Sequence, residues 1–231
     1  MTLRPLALLL LLCLDLTACK RASEREEEEA EEREREHAAK LTEVALVPMS
    51  MSELPELTAA APAVQQHFPG LRVRVGSRRL LAPAARPKGG ATQASAEKLF
   101  STSTGAPGDV YVVEEDLRTQ QREHVFSAHD AETSRAVVSL SRLRDPAGQP
   151  TQPGAPVDAA ARARATARLE FQLTAAVAQL LGVSAPCGTR ECVLAPVEDV
   201  REMDARGTHL CAAHQQEVTK QIKTLAGPGQ K

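Results

Sequence analysis

Residues 159–192 read A-A-A-R-A-R-A-T-A-R-L-E-F-Q-L-T-A-A-V-A-Q-L-L-G-V-S-A-P-C-G-T-R-E-C. From Ala159 to Leu181 there is neither proline nor glycine, and alanine is abundant. Leu169, Leu173, Ala176, Val177, Leu180 and Leu181 recur at the spacing that places side chains on one helical face. The stretch therefore predicts a long amphipathic helix, with Gly182 as its C-terminal cap. A cysteine region follows at once.

Cys187-x4-Cys192 supplies two thiols from one short loop. Cys211-x2-His214 supplies a thiol and an imidazole at the start of a second predicted helix that runs to Leu225. Zinc takes four soft or borderline ligands in a tetrahedron, and short spacings let two ligands come from one turn. Cys187, Cys192, Cys211 and His214 make a complete set with no vacant position. That describes one structural zinc, pinning a segment with little apolar sequence of its own. A disulfide is the alternative in an oxidising compartment. It leaves one of the three thiols unpaired.

Upstream, short apolar runs alternate with helical stretches. Glu43-Val44-Ala45-Leu46-Val47-Pro48 predicts a first strand stopped by proline. Leu54 to Phe68 predicts a helix, limited by Pro55 and Pro62 and closed by Pro69-Gly70. Leu71-Arg72-Val73-Arg74-Val75 alternates as a half-buried strand does. Residues 82–92 predict a loop, and Ala94 to Phe100 a short helix. Val110-Tyr111-Val112-Val113 is a continuous apolar run, as a central strand requires. His124-Val125-Phe126 predicts a short or edge strand, Arg135 to Leu143 a strong one, and 145–156 a proline-rich surface loop. This order predicts an α/β domain over residues 41–231.

The first forty residues carry different information. Arg4 precedes an apolar run from Leu6 to Leu14, and Thr17-Ala18 precede Cys19. The run is too short to cross a bilayer, so residues 1–18 predict a signal peptide. Leu16-Thr17-Ala18-Cys19 resembles the lipobox of bacterial lipoproteins, although Asp15 interrupts the apolar region. The resemblance implies cleavage before Cys19, acylation of its thiol, export and anchoring to the bacterial membrane. Lys20, rather than aspartate, follows the cysteine. By analogy with lipoprotein sorting, that implies the outer membrane rather than the inner. Residues 24–36 hold nine glutamates, three arginines and one alanine. No apolar face exists there, so residues 19–40 predict a lipidated cysteine and a solvated charged tether; an acidic cation-binding role is the alternative.

Composition excludes some functions. The formal net charge is −2 over 231 residues, and no basic stripe stands out, so nucleic acid is not an expected partner. With no tryptophan and one tyrosine, Tyr111, there is no stacking platform for bases or sugars.

Helix, glycine, C-x4-C and then a second ligand pair resemble the archaemetzincins, zinc-dependent metalloproteases. Their motif is H-E-x-x-H-x-x-G-x-x-H-C-x4-C-x-M, followed later by C-x2-C. Anchored on Gly182, this chain matches that frame with one extra residue, Pro186. The resemblance spans about residues 41–225 and implies a metzincin-like mixed sheet, a long active-site-type helix and a zinc-stapled C-terminal helical segment. Val44 to Pro48 and Ala136 to Leu143 look like the family's first strand and the strand before its active-site helix.

The departures are selective. Ala175, Gln179 and Ala185 stand at the three histidine positions, Ala176 at the glutamate and Leu194 at the methionine. Alanine has no lone pair, and a neutral amide is a poor zinc ligand. The chemistry needs a metal-bound water near pKa 7 and a carboxylate to take its proton. No catalytic residue is therefore assigned. His67, His124, His129 and His209 remain, with His124, His129 and Asp130 as the one local cluster. The expected function is a membrane-anchored, catalytically inactive protein of this type, binding a peptide or protein in the former cleft. A structural envelope lipoprotein and an active metalloprotease with displaced catalytic groups are the alternatives.

Overall fold

The computed structural model describes residues 41, 43–85, 93–183 and 186–225. The readings of the leader, Cys19 and the tether, and of Ala185, lie outside the described residues. All the described residues belong to one compact unit, 38–231.

Glu43–Met49 (β1) is buried at every position after Glu43. Helix α1 (Pro55–His67) carries the chain back to β2 (Arg72–Val75), which lies parallel to β1 with Glu43 opposite Arg72 and Leu46 opposite Val75. A short strand β3 (Gln93–Ser95) and helix α2 (Ala96–Thr102) lead to β4 (Asp109–Val113), parallel to β1 on its other side. Strands β5 (Asp116–Arg118) and β6 (Ser127–Asp130) precede β7 (Arg135–Ser139). The main sheet runs β2-β1-β4-β7-β6, with β6 alone antiparallel, and β3 pairs with β5 as a separate parallel ribbon. Helices α3 (Ser141–Arg144), α4 (Ala159–Leu180), α5 (Val200–Asp204) and α6 (Ala212–Leu225) complete the fold.

The alternation of strand side chains divides the interior in two. Val44, Leu46, Val110, Val112, Ala136 and Val138 face a core built with α1 and α4. Ala45, Val47, Met49, Tyr111, Val113 and Val137 face a second core with Leu99 and Phe100 of α2 and Leu117 of β5. Both faces are covered, which is why β4 and β7 read as unbroken apolar runs.

The ends of α4 are built as its sequence demands. Asp158 caps the start by accepting the Ala161 N–H at 2.7 Å. At the other end the Val183 N–H bonds the Ala178 carbonyl at 3.0 Å and the Gly182 N–H bonds Gln179 at 2.9 Å. That pattern requires a left-handed residue, and Gly182 has φ +77°.

Two buried arginines join the helices. Arg144 binds both carboxylate oxygens of Glu56 at 3.0 and 3.2 Å and Glu114 at 2.7 Å, linking α3 to the first turn of α1 and the end of β4. Arg168 of α4 forks onto Asp204 at 2.8 and 2.7 Å. Its remaining amino group donates to the carbonyls of Leu143 at 2.9 Å and Asp145 at 2.7 Å.

The structure revises several boundaries. β1 passes through Pro48 to Met49: the pairing with β2 ends at Leu46, so the missing N–H of Pro48 faces no strand partner, while its carbonyl accepts from Arg79 at 2.9 Å. The predicted strand over 124–126 is displaced to Ser127–Asp130, with Val125 making only an isolated bridge to Leu117. The strand from Arg135 stops at Ser139, where the Ser139 hydroxyl accepts from the Ser141 N–H at 3.1 Å and starts α3. Residues 93–95, placed in or beside a helix by their sequence, pair with β5, and Ser95 caps α2.

Arg144→Ala leaves Glu56 and Glu114 buried without their counter-charge. The variant is expected to lose about 3–5 kcal/mol of stability, read from urea unfolding followed by circular dichroism.

Candidate metal centre

After Gly182 the chain turns back on itself. The Cys187 N–H bonds the Leu194 carbonyl at 2.9 Å, and the Cys192 N–H bonds Thr189 at 3.1 Å, closing the C-x4-C loop. The Val193 N–H bonds the His209 carbonyl at 3.1 Å and draws this loop to the start of α6. Cys211 immediately precedes α6, and His214 lies three residues on, so both project from one helical face.

The four ligand atoms lie within 4.8 Å of one another. Cys187 Sγ is 3.9 Å from Cys211 Sγ. His214 Nδ1 is 3.5 Å from Cys192 Sγ and 3.3 Å from Cys211 Sγ. A zinc tetrahedron with metal–sulfur bonds of about 2.3 Å and a metal–nitrogen bond of about 2.0 Å has S···S edges of about 3.8 Å and S···N edges of about 3.5 Å. The donor set and its spacing fit that ion, and the three cysteines are free thiols rather than a disulfide and a remainder. Among the described residues no other group of three or more His, Cys, Asp or Glu side chains could hold an ion.

The thiols differ in acidity. The backbone N–H of His214, at the opening of α6, pulls the Cys211 thiol below its usual range, and the N–H of Ala213 adds to this. Burial pushes the Cys192 thiol up, opposed by the N–H groups of Cys211 and Leu194. A cation among them favours the thiolate of each. Helix α6 buries only Val218 and Ile222, so the cluster is a principal attachment for it.

The positions matching the protease motif lie elsewhere. Ala175 and Gln179 are half-buried on α4 and line a cleft of about 870 Å³ together with Leu194, Pro186 and the segment 122–127. Ala176 faces the core, 2% exposed. The two concerns are thus spatially separate: the sulfur cluster staples the C-terminal helix, while the cleft runs between α4 and the segment leading into edge strand β6. The Gln179 amide has no hydrogen-bond partner among the described residues. Of the remaining histidines, only His124 lines this cleft. His129 and Asp130 line a different hollow beside α2, His67 meets Glu170 at 3.1 Å, and His209 is exposed.

Sequence reading missed Gln172. It is buried, accepts the Ser127 hydroxyl at 2.9 Å and ties β6 to α4. The available signal was its spacing: Gln172, Ala175 and Gln179 form one stripe at i, i+3 and i+7.

No family model matches the chain, and no curated protein does. Solved structures do match. The archaemetzincin of Methanopyrus kandleri superposes with a TM-score of 0.62 at 22% identity, covering 79% of this chain and 96% of that one. The archaemetzincin of Archaeoglobus fulgidus, complexed with malonate, gives 0.59 at 16% identity, covering 78% and 99%. A zinc-dependent peptidase of Methanocorpusculum labreanum gives 0.59 at 14% identity, covering 76% and 99%. With its mostly parallel sheet, long α4 and Cys/His cluster behind Gly182, this chain has the archaemetzincin fold.

Proposed function

We propose that this protein is an exported, lipid-anchored, non-hydrolytic relative of the archaemetzincins, with one structural zinc and a cleft that binds peptide. The observation that carries the reading is the contrast between two places in one fold. Four metal ligands sit at tetrahedral spacing in the C-terminal segment. Two of the positions matching the protease's metal ligands, Ala175 and Gln179, line a cleft with no cluster of metal ligands among the described residues.

The chemistry follows from the side chains present. When bound, zinc at Cys187, Cys192, Cys211 and His214 supplies a cross-link between the loop after α4 and the helix α6. All four positions are filled by protein, so no site is left for an activated water. Ala175 in the cleft and Ala176 behind it in the core can neither take nor hold a proton. The Gln179 amide can donate and accept, which suits the N–H and C=O of an extended peptide lying along β6. Export and lipidation rest on the leader and Cys19.

Metal analysis of the purified full chain is expected to give one zinc per chain. Cys211→Ala and His214→Ala are expected to abolish it, whereas His214→Cys retains it. Two zincs, or chelator-sensitive cleavage of a peptide library, would overturn the non-hydrolytic reading.

Chelation is expected to lower the melting temperature on the order of 10 °C, because metal binding free energy is folding free energy. An unchanged melting temperature would remove the structural role. Labelling cells with a radioactive fatty acid checks the anchor: wild type incorporates label, and Cys19→Ala does not.

A further inference from the structure

Beside the cleft, and sharing Arg122, Glu123 and His124 with it, lies a polar hollow of about 470 Å³. Arg118, Arg122 and Arg142 line it. Arg142 is already committed: it forks onto Asp116 at 2.8 and 2.9 Å and donates to the Gly148 carbonyl at 3.3 Å. Asp116 is committed in turn, since the Gln93 amide also donates to it at 3.3 Å. That carboxylate is therefore not available to the other two arginines.

Arg118 and Arg122 are exposed, and neither makes an ion pair within 4.0 Å among the described residues. Glu97 feels the charge of Arg118, but its carboxylate oxygens accept from the Ser95 hydroxyl at 2.7 Å and the Gln120 N–H at 2.8 Å. The backbone beneath the pair is fixed. The Thr119 N–H bonds the Arg122 carbonyl at 3.0 Å, and the Arg122 N–H bonds the Thr119 hydroxyl at 3.1 Å. Arg122 thus closes one turn with Thr119, and Arg118 immediately precedes that turn. The cleft itself has a mixed character: Phe126, Phe171, Leu194 and Val197 supply apolar walls beside Gln172 and Gln179, and its acidic residues are Glu198 and Glu123, the latter at the border with the hollow.

We propose that the ligand is an extended peptide with apolar residues in the cleft and a carboxylate seated against Arg118 and Arg122. This rests on the peptide-binding reading above. A guanidinium offers paired N–H donors that match the two oxygens of a carboxylate. The change from a cleft with apolar walls to a polar hollow carrying Arg118 and Arg122 gives the ligand a direction as well as a charge preference. The carboxylate can be an aspartate or glutamate side chain or a free C-terminus.

The test selects binders to the full chain, held in detergent, from a random peptide library. Selected peptides are then synthesised with free or amidated C-termini, and with each acidic residue replaced by its amide. The expected result is enrichment of carboxylates. Removing the critical one weakens binding about tenfold, and the Arg118→Gln/Arg122→Gln variant loses the same factor. The two losses are not additive. Amidation sensitivity marks a C-terminal carboxylate, and Asn or Gln sensitivity marks a side chain. Peptides that bind but are indifferent to both carboxylate and arginines overturn this proposal alone. Recovery of no peptide overturns the peptide-binding reading beneath it.

Discussion

Helix α4 must end in a left-handed turn at Gly182, and the rest of the molecule is arranged around that constraint. The helix is long because no breaker interrupts it, and it stops where the Val183 N–H closes on the Ala178 carbonyl. From the residue before this turn the chain has covered the sheet. From the residue after it the chain starts back toward the cysteine loop. The cleft-lining stripe of α4 precedes this capped end in the chain and the sulfur cluster follows it, with Pro186, Val193 and Leu194 lining the cleft from the cysteine loop. A side chain with a Cβ at residue 182 would strain that backbone and disturb both places together.

The same geometry shows how one half of a site can change without the other. Ala175 and Gln179 line the cleft from α4 and are only half-buried, Ala175 packing at the margin of the core. Ala176 does face the core, where its methyl group is buried. The Cys/His cluster has a mechanical duty instead, because α6 offers so little apolar surface. Small replacements in the cleft leave the scaffold standing. Replacement of a sulfur ligand removes an attachment of the last helix.

Legibility in the sequence followed burial. β1, β4 and β7 were readable because burial on both faces demands unbroken apolar runs, and α4 because one face is buried from Ala165 to Leu180, about four turns. The ligand set was readable because each half of it is local. β3, β5 and β6 were not, since Q-A-S, D-L-R and S-A-H-D carry no pattern of their own and are strands only through their neighbours. Pro48 misled for a related reason: whether a proline stops a strand depends on whether a partner reaches it. Gln172 and the arginine hollow were hidden because they join residues far apart in sequence, such as Gln93, Arg118 and Arg142.

The scant burial of α6 gives the molecule two levels of opening. The sheet and its flanking helices are locked by two apolar cores and by the Arg144 and Arg168 clusters. The last helix hangs chiefly on Val218, Ile222 and the thiol–imidazole group. A helix with so few buried side chains belongs to the low-stability end of a fold, where local opening concentrates. Occupancy of the sulfur site then governs how often residues 212–225 expose themselves to proteases, independently of what happens in the cleft.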